Sequence, residues 1–195
     1  MIKLINDSIT KDNIRDLSEW ILTDPKFTKG NLTLDFEKMW SLWLGVDSSV
    51  FVNSGSSANL LMAASLLETS RLRNKKIVVP SVAWPTTIAP FIQMGYEPII
   101  CDCDPDNLGL SIPHLEKIIS EHDPATIILV HVLGFANCMD SVMSLCEKHN
   151  IILLEDCCES HGATYDGKKL GTFGLMSSFS YYYGHHISTI EGGMI

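Results

Sequence analysis

Three short, continuously apolar runs constrain the fold of this chain more than any other feature. They are Ile77–Val79, Ile127–Val130 and Ile151–Leu154, each of strand length and rich in β-branched residues or leucine. A strand with one solvated face alternates apolar and polar residues, whereas a strand of a parallel sheet is covered on both faces and reads as continuously apolar. The runs therefore predict a parallel sheet buried between two layers.

The segments between these runs have the spacing of helices. Thr10 is a suitable N-cap for a helix to about Leu22. Further helices are predicted at about 34–44, 85–93, 112–120 and 139–149, and one more runs from the turn at 54–57 to about residue 67. Further strands are predicted at 49–53, 98–101 and 126–131. Strands that alternate with helices predict a single α/β domain of the doubly wound type, with ligands at the carboxyl ends of the strands.

Composition excludes several classes of partner. The formal net charge of −9 over 195 residues argues against binding to nucleic acid or to an anionic membrane. No apolar run reaches 18 residues, so the sequence predicts no membrane span. The first residues, Met1–Asp7, lack the apolar core of a signal peptide, and six cysteines without such a signal favour a reducing, cytoplasmic location.

Two motifs at strand ends could hold a ligand. Ser54–Asn59 lies between a strand and a helix, where backbone N–H groups can bind a phosphate, although serine and glycine there are commonly only turn and cap residues. Trp84 follows the strand that Pro80 ends, and its indole could stack on a planar ring or pack in the core. Either motif alone is a weak signal.

A pair of acids, Glu155-Asp156, follows the apolar run at 151–154. An acid at the carboxyl end of a central parallel strand is positioned to face a ligand. The alternative is a solvated acid in a loop.

The segment Gly184–Gly193, which reads Gly-His-His-Ile-Ser-Thr-Ile-Glu-Gly-Gly, is the most specific motif. It resembles the cofactor-lysine segment of the DegT/DnrJ/EryC1/StrS sugar aminotransferases, which reads roughly Ser-Phe-x-x-x-Lys-x-x-x-x-Gly-Glu-Gly-Gly. The lysine of that pattern stands six residues before the glutamate, and six residues before Glu191 this chain has His185. An imidazole forms no Schiff base with an aldehyde. The resemblance, from about residue 25 to the last residue, is therefore to the 3-dehydratase branch of the family.

The resemblance implies the large domain of a fold-type I pyridoxal-phosphate enzyme, with a mostly parallel central sheet flanked by helices. It implies pyridoxal or pyridoxamine phosphate bound non-covalently. Ser56, Ser57 and Ser180 match positions that bind the cofactor phosphate. Trp84 matches the aromatic residue that covers the pyridine ring, and Asp156 matches the carboxylate that binds the ring nitrogen.

For catalysis the resemblance implies three residues: His185 as the base, Asp156 as the partner of the pyridinium, and Glu159. The last of these departs from the glutamine or histidine that is common in the aminotransferases, and it is expected to order the catalytic histidine or a water. A neutral imidazole has an ordinary pKa near 6.5 and suits a base at about neutral pH.

The implied substrate is a nucleotide-linked 4-keto-6-deoxyhexose, as used in deoxysugar and polysaccharide biosynthesis, with an amino donor such as glutamate and a homodimer when full length. The chain stops at Met194-Ile195 inside an apolar run. Residues 1–195 are thus expected to form an N-terminal segment and most of the large domain, without the C-terminal small domain; a complete compact domain is the alternative. A sugar aminotransferase with an atypical site and an inactive truncated fragment remain the alternative functions.

No metal site is predicted, because the other histidines share no ligand spacing and Cys101-Asp102-Cys103 has no second cysteine pair at zinc spacing. Some dehydratases of this family hold an iron–sulfur cluster with four cysteines. Cys158 could be one such ligand, but the others would lie beyond Ile195, and a structural thiol is the simpler interpretation.

Overall fold

A computed structural model describes residues 9–195. The segment Met1–Asp7, on which the expectation about a signal peptide depends, lies outside the described residues. Within 9–195, no helix is both long enough and apolar enough to cross a membrane.

The described part of the chain has six α-helices close to the predicted ranges. They are α1 (Lys11–Ile21), α2 (Asn31–Leu44), α3 (Gly55–Leu67), α4 (Pro85–Gln93), α5 (Ile112–His122) and α6 (Met139–His149). The predicted cap of α1 is confirmed: the Thr10 hydroxyl accepts a hydrogen bond from the Asn13 N–H at 3.2 Å, and the Asn13 side chain accepts one from the Thr10 N–H at 2.9 Å. This reciprocal pair satisfies backbone donors that a helix start leaves unpaired.

The strands form one large sheet and one short hairpin. They are β1 (Phe51–Val52), β2 (Lys76–Pro80), β3 (Glu97–Cys101), β4 (Thr126–Val130), β5 (Ile152–Asp156), β6 (Thr164–Tyr165), β7 (Lys168–Lys169), β8 (Met176–Ser180) and β9 (Gly193–Met194). The order in the large sheet is β1-β9-β8-β5-β4-β2-β3. The pairs from β3 through β8 are parallel, whereas β9 runs antiparallel to β8 and to β1. The predicted α/β class with a mostly parallel sheet is confirmed.

The two faces of the sheet bury alternate residues of the same strands. Val78 and Ile127 pack with α5 and α6 on one face, while Ile77 and Ile128 pack with α3 and α4 on the other. All four side chains are fully buried. Because successive strand residues point to opposite faces, only a continuously apolar run can supply both cores.

Two differences from the sequence prediction affect the site. Strand β5 runs through Asp156, so the two acids are its last two residues and not part of a following loop. The strands β8 and β9 and the β6–β7 hairpin are not assigned by the sequence pattern. The run Met176–Ser180 is mostly serine and lacks an apolar signal, and β9 is only two residues long.

Candidate active site

The carboxyl ends of β5 and β8 meet the first turns of α3 and α4. The close approach of α3 is visible at Gly55, where an added Cβ would lie 2.7 Å from both Ser180 Cβ and Cys158 Sγ. Only a residue without a side chain fits there. The topology therefore creates a polar cleft at the strand ends, as expected for a doubly wound sheet.

Asp156 is the central acid of this cleft. Its carboxylate accepts hydrogen bonds at Oδ2 from Asn59 Nδ2 at 2.8 Å and from Thr87 Oγ1 at 2.7 Å, and at Oδ1 from the Cys158 N–H at 3.1 Å. The residue is only 4% exposed. Three donors from three different segments thus hold the carboxylate in one orientation.

The charge of Asp156 has no cationic partner among residues 9–195, because all three donors are neutral. A carboxylate offers about four acceptor positions, so one remains at Oδ1, where only the weakly donating thiol of Cys158 interacts with it. Burying an anion without a cation is unfavourable. A protonated pyridine nitrogen would supply both the missing charge and the missing donor, so the residues present fit the pyridoxal ring that the resemblance implies.

Sequence reasoning missed the partners of Asp156. Asn59 also accepts a hydrogen bond at Oδ1 from Ser178 Oγ at 2.7 Å, which extends the network to β8. Asn59 stands four residues after Gly55 and shares its helix face, and Ser178 stands two before Ser180 and shares its strand face. That spacing was an available signal for both residues.

The start of α3 has the features of an anion site. The Ser54 side chain caps the helix, accepting from the Ser57 N–H at 3.1 Å and donating to Ser57 Oγ at 3.2 Å. The N–H groups of Gly55 and Ser56 have no acceptor within the helix, as at every helix start. Ser56 is exposed, and Ser180, which is nearly buried, accepts a hydrogen bond at Oγ from the Tyr182 N–H at 3.4 Å. Backbone donors and hydroxyls thus face the same end of the cleft.

Trp84 is the N-cap residue of α4 and is 71% exposed, so the structure does not use it as a core tryptophan. Thr87, which donates to Asp156, lies in the first turn of the same helix. The indole is therefore on the element that reaches the buried carboxylate.

His185 lies in the segment between β8 and β9, and its N–H donates to the Tyr182 carbonyl at 3.0 Å. Its ring is half-buried. Partial burial lowers the pKa of His185, the carboxylate of Glu159 raises it, His186 lowers it and Asp156 raises it, and the net direction is downward. A lowered pKa keeps the imidazole neutral, as a base requires.

Glu159 acts on His185 through charge, since no hydrogen bond joins the two side chains in the described structure. Its Oε2 accepts instead from the Leu133 N–H at 3.0 Å. Leu133 has a φ of 52°, a left-handed conformation that this contact supports. The expectation that Glu159 orders the catalytic histidine or a water stays a prediction; its carboxylate lies close enough to His185 to raise the pKa of the imidazole.

Glu155, for which the sequence suggested no role, is a fully buried structural acid. Its Oε1 accepts from the N–H groups of Phe173 and Gly174, each at 2.7 Å, and its Oε2 from the Gly171 N–H at 2.8 Å and from His131 Nε2 at 3.2 Å. Burial alone would raise the pKa of Glu155, but these hydrogen bonds outweigh it and hold the pKa below its ordinary value. The acid therefore fastens the loop before β8 to β5.

The ligand atoms of His131, Glu155 and Cys157 lie within 4.8 Å of one another. The geometry favours hydrogen bonding over metal binding. His131 Nδ1 accepts from the Asn137 N–H at 3.3 Å, so Nε2 carries the proton that Glu155 accepts. All four acceptor positions of Glu155 are occupied. Burial raises the pKa of the thiols of Cys157 and Cys158 well above the ordinary value, which disfavours thiolate ligands.

Five of the predicted site residues lie on elements that these contacts join, whereas His185 and Glu159 are linked to Asp156 by no hydrogen bond in the described structure. Ser56 and Ser57 begin the helix whose Asn59 binds Asp156, Ser180 lies against the start of that helix, and Trp84 begins the helix whose Thr87 binds the same carboxylate. Their roles toward a cofactor remain predictions.

Comparison with known proteins identifies a family for nearly the whole chain. The model of the DegT/DnrJ/EryC1/StrS aminotransferase family matches residues 8–195. GDP-4-keto-6-deoxy-D-mannose 3-dehydratase of Escherichia coli O55:H7 is 42% identical over 178 residues, which cover 90% of this chain and 46% of that protein. The chain thus spans about half the length of this curated relative.

Two solved structures share the fold over the whole chain. The E. coli GDP-4-keto-6-deoxy-D-mannose-3-dehydratase with bound hydrated PLP has a TM-score of 0.92 at 36% identity, and this chain covers 50% of it. A GDP-4-keto-6-deoxymannose-3-dehydratase with a trapped PLP-glutamate geminal diamine has a TM-score of 0.93, again at 36% identity and 50% coverage. The chain therefore belongs to the DegT/DnrJ/EryC1/StrS aminotransferase family.

Proposed function

We propose that the protein containing this chain is a pyridoxal-phosphate-dependent 3-dehydratase, which removes the C3 hydroxyl of a nucleotide-linked 4-keto-6-deoxyhexose. The observation that carries the proposal is His185. It stands six residues before Glu191, where the family pattern has lysine, and its half-buried ring lies close enough to Asp156 for that charge to act on it. Histidine can move a proton but cannot anchor the cofactor covalently.

Asp156 and the start of α3 would hold the two ends of the cofactor. At its remaining Oδ1 position Asp156 would accept a hydrogen bond from the protonated ring nitrogen, and the pyridinium that it stabilises would supply the electron sink for bond breaking in the sugar. The N–H groups of Gly55 and Ser56, with the hydroxyls of Ser57 and Ser180, bind the phosphate. Trp84 covers one face of the ring by stacking.

His185 accepts the proton that must leave the C4′ methylene of pyridoxamine phosphate. Its lowered pKa keeps the ring neutral at about neutral pH, so it is ready to accept. The charge of Glu159 favours the imidazolium that results. Because histidine cannot recapture the cofactor covalently as a lysine does, it would favour loss of the C3 hydroxyl over completed amino transfer to the sugar.

The relatives support a GDP-linked hexose as substrate and glutamate as amino donor, because their names include a GDP-sugar and a PLP-glutamate adduct. We infer further that residues 1–195 form the N-terminal segment and most of the large domain of a homodimeric, cytoplasmic protein with a C-terminal small domain. The 46% coverage of the dehydratase supports the longer chain. The charge of −9 favours neither nucleic acid nor an anionic membrane as a partner.

The test incubates the full-length protein with GDP-4-keto-6-deoxymannose, pyridoxal phosphate and glutamate, and follows the sugar by mass spectrometry. The expected product is a 4-keto-3,6-dideoxy sugar nucleotide with release of ammonia. His185→Asn should still bind cofactor but lose about 10²–10⁴-fold in turnover. Borohydride should attach no cofactor at residue 185, because imidazole forms no reducible bond with the aldehyde.

The opposite results distinguish the alternatives. An amino sugar as product, or cofactor fixed at residue 185, would support an aminotransferase. Absence of any turnover together with absence of cofactor binding would support an inactive protein.

A further inference from the structure

His161 is a half-buried residue with buried ring nitrogens, and the proposed mechanism assigns it no role. One side of its ring packs on the aromatic cluster, defined here as Trp40, Phe179 and Tyr181, with centroid distances of 5.9, 5.7 and 5.6 Å. These three residues are at most 4% exposed. The ring of His161 is thus packed against three buried aromatic side chains.

The other neighbours of His161 are the two histidines of the segment after β8. Its ring centroid lies 6.2 Å from that of His185 and 5.9 Å from that of His186. Of these two, His186 is exposed and can exchange protons with solvent, whereas His185 is half-buried. His161 therefore lies between the aromatic cluster and the proposed base.

Both ring nitrogens of His161 are closed off from solvent, and neither makes a well-formed hydrogen bond among residues 9–195; the backbone of Ser180 interacts with the ring only weakly. Unpaired buried polar atoms are rare and cost free energy, so a protein retains them where they have a use. A phenylalanine or leucine would fill the same space without that cost.

The protonation state of His161 is defined by its surroundings. Burial lowers its pKa to about 4, with smaller lowering effects from His185 and His186, and the backbone of Ser180 opposes them. At neutral pH the ring is uncharged. A neutral imidazole has one donor nitrogen and one acceptor nitrogen, and the acceptor is free.

His185 needs such an acceptor once it holds a proton. In the described structure its ring nitrogens donate to no side chain, and Glu159 acts on it only through charge. Tyr182 contacts the ring at a centroid distance of 6.1 Å, in an edge arrangement. Glu159, His186, Asp156 and Tyr182 are the titratable groups that face His185 from other directions.

We propose that His161 is a positioning residue for His185, and that its free acceptor nitrogen takes a hydrogen bond from the protonated ring of His185. A small tilt of the His185 ring toward His161 closes the contact. The imidazolium is then oriented by a neutral partner that cannot take its charge. The inference rests on the proposed function only for the source of the proton, since the pairing of the two rings is a property of the protein itself.

The test is an NMR titration of the full-length protein labelled with ¹⁵N histidine, without substrate. In His161→Phe, which keeps a ring but removes both nitrogens, the pKa of His185 should fall by about one unit, because the charged form loses its acceptor. His161→Gln, which retains an acceptor, should recover part of the shift. Leu115→Ala, a packing change in the core cluster of α5 and α6, which His161 does not contact, should lower stability and leave that pKa unchanged.

A direct signature accompanies the titration. Below the pKa of His185, wild-type protein should show a ¹⁵N–¹⁵N coupling between the rings of residues 161 and 185. An unchanged pKa in His161→Phe would overturn the proposal, as would equal shifts in His161→Phe and Leu115→Ala. If the phenylalanine variant does not fold, absence of the coupling in wild type decides against it. Dehydration of the sugar by the wild-type protein is assayed separately. If that assay fails, the NMR titration still tests the pairing of His161 with His185, because it uses no substrate.

Discussion

Glu155 and Asp156 are neighbours on β5, yet they serve opposite sides of the sheet in different ways. Glu155 is fully buried and every acceptor position is filled, by three backbone N–H groups and His131. Asp156 is almost as buried, but one position at Oδ1 meets only the weakly donating thiol of Cys158, and its charge has no cation among the described residues. Unused bonding capacity, more than burial, separates an acid that holds the fold from one that awaits a ligand.

The largest expected effect comes from Glu155→Gln. The amide places a donor group against backbone donors and removes the charge, so buried N–H groups lose their acceptor. The free energy of unfolding should fall by about 3–5 kcal/mol, as for other broken buried charged networks. Urea denaturation measures it, and Glu147→Gln on the exposed side of α6 is the matched control. A loss below about 1 kcal/mol would show that Glu155 is not the structural acid.

Asp156→Asn should reverse this pattern. The amide can still accept from Asn59 or Thr87, so the free energy of unfolding without cofactor should change by less than about 1 kcal/mol. Turnover should fall by about 10²–10³-fold, because the pyridinium loses its charged partner. Steady-state kinetics and urea denaturation on the same preparation measure both. Near-normal turnover would show that Asp156 is not needed for catalysis. The proposed functional difference between Asp156 and Glu155 would then be wrong.

Lowering the pH should reduce the stability of the folded protein through protonation of Glu155. A carboxyl whose folded pKa lies below its unfolded value stabilises the protein above the unfolded pKa, about 4.3 for glutamate, and loses that contribution as pH falls through the folded pKa. Thermal unfolding of wild type should therefore move to lower temperature below about pH 4.5. The Glu155→Gln variant should show a shallower decline; parallel curves for the two proteins would contradict the assignment.

The smallest effect is expected for Trp84→Ala. Because the indole is 71% exposed, its removal should leave the unfolding free energy nearly unchanged. Loss of a stacking contact worth about 1 kcal/mol should weaken cofactor binding by about fivefold, and Trp84→Phe should retain most of the affinity. Cofactor titration by absorbance measures both variants. An unchanged affinity in the alanine variant would show that Trp84 does not contact the cofactor. The proposed cofactor contacts would then be limited to Asp156 and the start of α3.

Much of the fold was readable from local pattern. The apolar runs predicted strands buried on two faces, and β2, β4 and β5 are such strands. Strand β8 was not predicted from the sequence, because its serines contact polar partners such as Asn59 and a polar strand has no hydrophobic periodicity. The role of Glu155 escaped because its partners lie up to 24 residues away, in segments without a regular pattern.

The sequence by itself determined the chemistry that is available: a histidine in place of a lysine, a glycine-containing turn at a helix start and an acid at a strand end. Such features are local, because residue type and spacing suffice to define them. The tertiary structure alone decided which groups meet. Asn59 and Asp156 are 97 residues apart, and only the packing of α3 on β8, the strand paired with β5, brings them to 2.8 Å. His161 became relevant for the same reason, since its unpaired nitrogens and its position beside His185 follow from burial, which no local pattern encodes.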